Sequence, residues 1–294
     1  MVQNRKDEYP LSLGQSIYKP KELFARGDLS KFLSGAGYVG VAMVGTRRPS
    51  SNAAELCRRL VFALQGTRAV VVSGLAQGID SLCHEAALEA GIPTIAVLGQ
   101  GLDSRIEGSR GVLARRILEA GGALLSTFPP DSPAYKGNFV ARNKIISGLC
   151  AATVIVQSKA QGGALLTGEN CRKEGKPLYA IPGDFDSEVA QGTNILLDSG
   201  AARPIFRPES LSMVLGLPRH GGNCVQKLQS VGCHLNEETQ KFFERVNGFR
   251  KTFTELQSEF DFNVPTLLAI LTELEIAGLA HTEDNFQFYF NGAT

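Results

Sequence analysis

A chain of 294 residues, 43% hydrophobic and 20% charged, has the composition of a globular protein of about two domains. No run of about 18 apolar residues escapes a charge, and residues 1–21 carry charges without an apolar core, so neither a membrane span nor a signal peptide is expected. The net charge of +1 is unevenly spread: residues 235–294 hold four basic and ten acidic residues, a net of −6, and the remaining 234 hold 26 basic and 19 acidic, a net of +7.

Residues 1–36 are short apolar pieces set between Pro10, Pro20, Gly27 and Gly35. They lack a sustained period and read as a lead-in packed on a larger body. From Tyr38 onward, short apolar runs alternate with helical periods. Strands are expected at 38–44, 69–73, 94–98, 123–126, 153–157 and 178–181, and helices at 51–65, 80–90, 111–120, 139–149 and 165–174. Apolar runs bounded by glycine, separated by helices of ten or more residues, indicate a parallel sheet covered on both faces. The expected fold is therefore α/β, an extended Rossmann-like, doubly wound, mostly parallel sheet over residues 37–217. Residues 218–234 contain Pro218 and Gly221-Gly222 and read as a linker. Three helical segments at 236–247, 252–260 and 263–277, then short strands at 279–281 and 287–290, outline a small winged-helix domain over 235–294. Nine of the 16 phenylalanines fall in those last 60 residues and read as its core.

Open α/β sheets bind ligands beyond the carboxyl ends of their strands. The first strand is followed by Gly45-Thr46-Arg47-Arg48-Pro49-Ser50, in which Arg47 and Arg48 offer two guanidinium forks beside hydroxyls at an expected helix start, suited to phosphate. Ser73-Gly74-Leu75-Ala76-Gln77-Gly78-Ile79-Asp80 follows the second strand, with glycines that admit a sharp bend or a close ligand. No G-x-x-x-x-G-K-[ST] is present, so ordinary P-loop ATPase or GTPase chemistry is not expected. The segment 135–144 interleaves Lys136, Arg142 and Lys144 with Tyr135 and Phe139, the pattern that lets bases stack on rings while cations track phosphates. Gly162 and Gly163 open a helix that carries Thr167, a further anion-accepting turn.

Together G-T-R-R-P-S, S-G-L-A-Q-G-I-D-x-x-x-H, N-F-x-x-R-N-x-I-I-x-G-L, G-A-L-L-T and I-P-G-D, in this order, resemble the DprA/Smf family of DNA-processing proteins over roughly residues 9–207. The resemblance implies a single-stranded DNA-binding protein that protects incoming DNA during natural transformation and loads the RecA recombinase. It also implies a cytoplasmic homodimer that is not an enzyme and uses no cofactor. It assigns DNA contacts to Arg47, Lys136, Phe139, Arg142 and Asn143, with Gly162, Gly163 and Thr167 in the helix-opening turn. Asp80 and His84 match a family motif, with buried structural roles expected. Only the exit of an N-terminal sterile-alpha-motif-like domain, around residues 9–29, is recognisable, and the acidic C-terminal module is expected to dock a partner or stabilise rather than bind DNA.

Three rival readings stand beside it. A nucleoside-monophosphate phosphoribohydrolase on a similar fold would use P-G-G-x-G-T-x-x-E. Gly162, Gly163, Thr167 and Glu169 echo that motif, but with the wrong spacing and no preceding proline. A transcriptional regulator would read bases with the third helix of the last domain, which holds no Arg or Lys. A metal site at His220, Cys224, Cys233 and His234 matches no familiar zinc spacing. The six cysteines form no C-x-x-C pair and read as reduced, buried thiols.

Overall fold

The glycine-bounded apolar runs lie side by side as strands of one sheet. In the computed structural model, the described residues are 3–4, 9–33, 37–217, 236–246, 250–260, 262–276, 280–283 and 287–290. They belong to two compact units, Met1–Pro218 and Arg219–Thr294.

The strands of the first unit are β1 (Gln3–Asn4), β2 (Phe24–Gly27), β3 (Val39–Val44), β4 (Ala69–Ser73), β5 (Thr94–Val97), β6 (Ala123–Ser126), β7 (Ala152–Ile155), β8 (Leu178–Ala180) and β9 (Arg203–Pro204). They lie in the order β1-β2-β6-β5-β4-β3-β7-β8-β9. From β6 to β9 all neighbours run parallel, whereas β2 pairs antiparallel with β6, Phe24 facing Ser126. The helices are α1 (Ala53–Phe62), α2 (Ile79–Glu89), α3 (Gly108–Glu119), α4 (Lys136–Leu149), α5 (Gly163–Lys173), α6 (Gln191–Asp198) and α7 (Leu211–Val214). The chain winds outward from β3 to β6, then returns to place β7 beside β3. This is an α/β, Rossmann-like doubly wound sheet whose topological switch lies at β3.

Alternation along each strand fills two core layers. Ala42, Val44, Val70 and Val72 face a layer containing Ile145, Ile146 and Leu149 of α4 and Cys171 of α5. Val41, Met43, Val71 and Val154 face one built with Cys57 and Leu60 of α1 and Ile79 and Cys83 of α2. Cys57, Cys83, Cys150 and Cys171 are buried and unbridged.

The lead-in does more than pack on the body, because β1 and β2 extend the sheet. Its anchors, Leu13, Leu23, Leu29 and Phe32, are fully buried in the α4-side layer. The expected helices also shift. α4 starts at Lys136 and α5 at Gly163, so both begin nearer the strand ends than the apolar periods suggest.

The second unit holds α8 (Glu237–Val246), β10 (Arg250–Thr252), α9 (Phe253–Glu259), α10 (Val264–Ile276), β11 (Ala280–Glu283) and β12 (Gln287–Phe290). Its strands pair antiparallel in the order β10-β12-β11, so Arg250–Thr252 adds a strand to the two expected. Phe242, Phe243, Val246, Leu256, Phe260, Leu267 and Phe288 pack together, with the Phe242 and Phe260 rings 4.7 Å apart. Thr252 starts α9 with a capping box, and the Asn263 side chain accepts from the Thr266 N–H (2.9 Å) ahead of α10. The expected linker and the four candidate metal ligands, Cys224 and Cys233 among them, lie outside the described residues. Among the described residues no helix is long and apolar enough to cross a membrane, and no group of His, Cys, Asp and Glu could hold a metal.

Candidate nucleic-acid interface

Where the sheet reverses its winding, the ends of β3, β4 and β7 and the starts of α4 and α5 surround a cavity of about 640 Å³. Short backbone bonds interlock its walls. The Thr46 N–H donates to the Gln157 carbonyl beyond β7 (2.8 Å), and the Ile79 N–H at the start of α2 donates to the Thr46 carbonyl (3.2 Å). Gly78 permits this approach, since its φ is +86° and a Cβ there would collide with the Thr46 oxygen.

Arg47 leaves this knot exposed and lines the cavity, its guanidinium carbon 5.4 Å from the centre of the Phe139 ring. Phe139 is half-buried on α4, and its ring closes on Gly99, where a Cβ would lie 2.7 Å away. Lys136, the first residue of α4, is exposed at the same mouth. Asn143 Nδ2 lies 3.4 Å from the Gly163 carbonyl and bridges α4 to the start of α5. Gly162 is the extended N-cap of α5, and a Cβ on it would collide with Ser158 Oγ. Gly163 follows with open space around it, and Thr167, one turn further, is buried. Among the described residues Arg47, Arg48, Lys136 and Lys144 form no ion pair.

Comparison with known proteins places this architecture. Residues 1–215 match the family model of DNA recombination-mediator protein A. The chain belongs to this family. Protein Smf of Escherichia coli (strain K12) is 37% identical over 204 residues, 69% of this chain and 53% of its own length. DNA processing protein DprA of Streptococcus pneumoniae is 36% identical over 200 residues, 66% of this chain and 67% of the relative. The chain thus spans about half to two thirds of the length of these curated relatives. The X-ray structure of DNA processing protein A from S. pneumoniae superposes with a TM-score of 0.64 at 32% identity, covering 72% of this chain and 73% of that one. The structure of DNA processing protein A from Helicobacter pylori, described for its single-stranded DNA binding mode, superposes at 0.65 with 28% identity, covering 74% and 96%.

Within this recombination-mediator fold two sequence expectations need correction. Arg142 is only 4% exposed, and its Nη1 donates to the carbonyls of Gly74 (2.5 Å) and Val97 (2.6 Å) at the ends of β4 and β5. A Cβ at Gly74 would occupy the space of that nitrogen. The Gly74 N–H donates to Asp80, which is also buried. Burial raises the Asp80 carboxyl and lowers the Arg142 guanidinium, and their attraction opposes both shifts. Arg142 therefore bolts α4 to two strand ends while it also lines the cavity. Beside it, His84 is fully buried with Nδ1 2.7 Å from the Thr94 hydroxyl, and burial, aided by Arg142, pushes it down to about 3.

The second correction concerns the Arg-Arg turn. α1 begins at Ala53, so neither guanidinium sits at a helix start. Arg48 is exposed but does not line the cavity, and the Ser50 hydroxyl is bonded to Gln157 and Asn52. The cavity also contains residues beyond those expected to contact DNA. Lys159 lines it while paired with Glu188 (2.6 Å), and Val140 and Leu166 give it an exposed apolar wall. Their position just beyond β7 or on the outer face of α4 and α5 was the available signal. Glu169, by contrast, is exposed outside the cavity and paired with Lys173 (2.6 Å).

Proposed function

We propose that this protein binds single-stranded DNA at the cavity beside β3 and hands it to a RecA-type recombinase, protecting the strand during natural transformation. In this reading it acts in the cytoplasm as a homodimer, as a binding protein rather than an enzyme, and without a cofactor. The observation that carries the reading is the Arg47 guanidinium over the half-exposed Phe139 ring, with Lys136 beside it and neither cation paired with a carboxylate among the described residues. A ring that stays accessible at a site of unpaired positive charge matches what a base with its phosphate requires. The H. pylori relative, described by its single-stranded DNA binding mode, supports the same reading.

Arg47 and Lys136 hold phosphates, Phe139 stacks a base, and the N–H groups at Gly163 face an anionic oxygen with the α5 dipole behind them. Asn143 supports the Gly163 turn, Gly162 and Thr167 shape it, and Arg48 adds charge at the rim. The second unit, whose helices and ribbon we read as a winged helix, carries net negative charge and serves a partner or the fold. The purified chain is expected to prefer single-stranded oligonucleotides over duplex in matched salt without ATP. Stronger binding to duplex would overturn the proposal. Glu169 lies outside the cavity, which disfavours the phosphoribohydrolase reading, and no release of base from a nucleoside monophosphate is expected.

A further inference from the structure

Beyond the cavity, α4 runs toward the lead-in, and the cation-on-ring arrangement recurs there. Lys136, Val140 and Lys144 are all exposed and spaced four apart, so they form one stripe along α4. Eight residues of helix place the two lysines about 12 Å apart along the axis. At the far end Lys144 Nζ lies 5.6 Å from the centre of the Tyr18 ring, which is half-exposed. Lys144 has no ion-pair partner among the described residues, and the Tyr18 hydroxyl has no hydrogen bond there. We infer that the single strand continues along this stripe and that Tyr18 and Lys144 form a second base-and-phosphate subsite, supplied by the lead-in. The inference rests on the DNA-binding reading of the cavity.

The lead-in is built to hold that ring in place. The Tyr18 N–H donates to Ser16 Oγ (3.0 Å), and the Ser16 hydroxyl is itself bonded to Glu174. Ser12 Oγ donates to the Gly148 carbonyl at the end of α4 (2.8 Å). Lys176 donates to the carbonyls of Ser147 and Gly148 (3.0 Å each), and Tyr9 donates to the Pro20 carbonyl (2.6 Å). Residues 9–20 are thus tied to the carboxyl end of α4 and to the turn after α5. A base that reaches Tyr18 displaces the Lys144 ammonium, whose flexible stem carries it to the adjoining phosphate. Stacking on a ring tolerates every base, so the subsite lengthens the footprint without adding sequence preference.

The test uses the full chain and fluorescent oligothymidines from about 4 to about 16 nucleotides, the range of single-strand site sizes. Tyr18→Ala and Lys144→Ala are expected to leave the shortest strands unaffected and to weaken the longest about fivefold or more, the loss of one stacked base. Tyr18→Phe restores binding, since the ring is what matters. On long strands Lys144→Ala lowers the log–log salt slope by about 0.7. Lys144 is an exposed helix position, so its variant tests the subsite even where Tyr18→Ala disturbs the lead-in. The inference is overturned when both alanine variants bind every length like the parent while Arg47→Ala still weakens all lengths. An equal loss at every length overturns it too, because Tyr18 would then belong to the cavity site. Should Arg47→Ala and Lys136→Ala change nothing, the cavity reading itself fails.

Discussion

Arg47 and Arg142 carry the same guanidinium into opposite environments. Arg47 is exposed and has no carboxylate partner among the described residues, so Arg47→Ala is expected to weaken single-strand affinity and lower the salt slope by about 0.7, with little change in stability. Arg142→Ala removes the donor to two carbonyls and the cation whose attraction counters the burial of Asp80. Leaving two buried carbonyls without their donor costs about 1–3 kcal/mol, read as a lower urea midpoint, with any affinity loss following from a displaced α4. A stable Arg142→Ala protein with a reduced salt slope would return the residue to the DNA surface. In sequence the two arginines look alike, since both stand in polar, basic motifs. The distinguishing signal was the helical period: Arg142 shares a face with Ile145, Ile146 and Leu149, all buried. His84 supplies a pH test. Its folded value of about 3 lies below the ordinary 6.5, so between them the unfolded chain binds more protons. Its contribution is therefore complete above pH 6.5 and is lost as pH falls toward 3, by at most about 1.4 kcal/mol per pH unit. Asp80, raised by burial above 3.8, works in the opposite direction at the acid end. Comparing urea midpoints of the parent and His84→Gln between pH 7 and 5 isolates the histidine: the parent is expected to lose ground to the variant on acidification, and parallel profiles would contradict the assignment.

Helix α4 connects the core to the candidate interface, and Phe139 lies where the two meet. Its ring packs against Gly99 yet stays half-exposed under Arg47, so it belongs partly to each. Phe139→Leu keeps the apolar packing and is expected to melt within a few degrees of the parent while losing about 1–3 kcal/mol of single-strand binding. A variant that binds normally but melts much lower would assign the ring to the core. Elements β3 to β8 and α1 to α5 were legible because each strand is covered on both faces, which leaves an unbroken apolar run between periodic helices. The antiparallel β2 was hidden because its partner, β6, is about a hundred residues away and its own four residues, Phe-Ala-Arg-Gly, show no alternation. The two-residue β9, with Pro204, and the helix α6 were invisible for similar reasons of length. The first turn of α4, Lys136-Gly137-Asn138, has no apolar residue to mark it, which is why the helix seemed to start at Phe139. Arg47, Lys136, Phe139 and Gly163 could be assigned to one site without knowing these details, because the carboxyl ends of parallel strands must converge. Lys144 was visible as charge but not as a neighbour of Tyr18, a pairing that only the docked lead-in creates.

The family match ends at residue 215, close to the boundary between the two compact units. Each unit has a core of its own: the first buries both faces of its sheet, and the second gathers Phe242, Phe243, Phe260 and Phe288 around α8 and α10. The charge divides in the same place, with a net of +7 before residue 235 and −6 after it. Non-specific affinity for nucleic acid comes mainly from released counterions, so the acidic unit opposes DNA wherever it lies within a Debye length, about 10 Å at 0.1 M salt. Ending the chain at about residue 218 is therefore expected to leave single-strand affinity unchanged or slightly higher. Any gain should be largest at low salt and vanish as salt is raised. The unaltered length dependence of binding would show that cavity and lead-in suffice for the footprint. The salt series separates this outcome from its opposite. If the second unit holds phosphates through Arg245, Arg250 or Lys251, the truncated chain loses affinity at every salt concentration and its log–log slope becomes shallower by about 0.7 for each phosphate no longer neutralised. A folded truncation that behaves in that second way would move part of the interface onto the second unit despite its net charge.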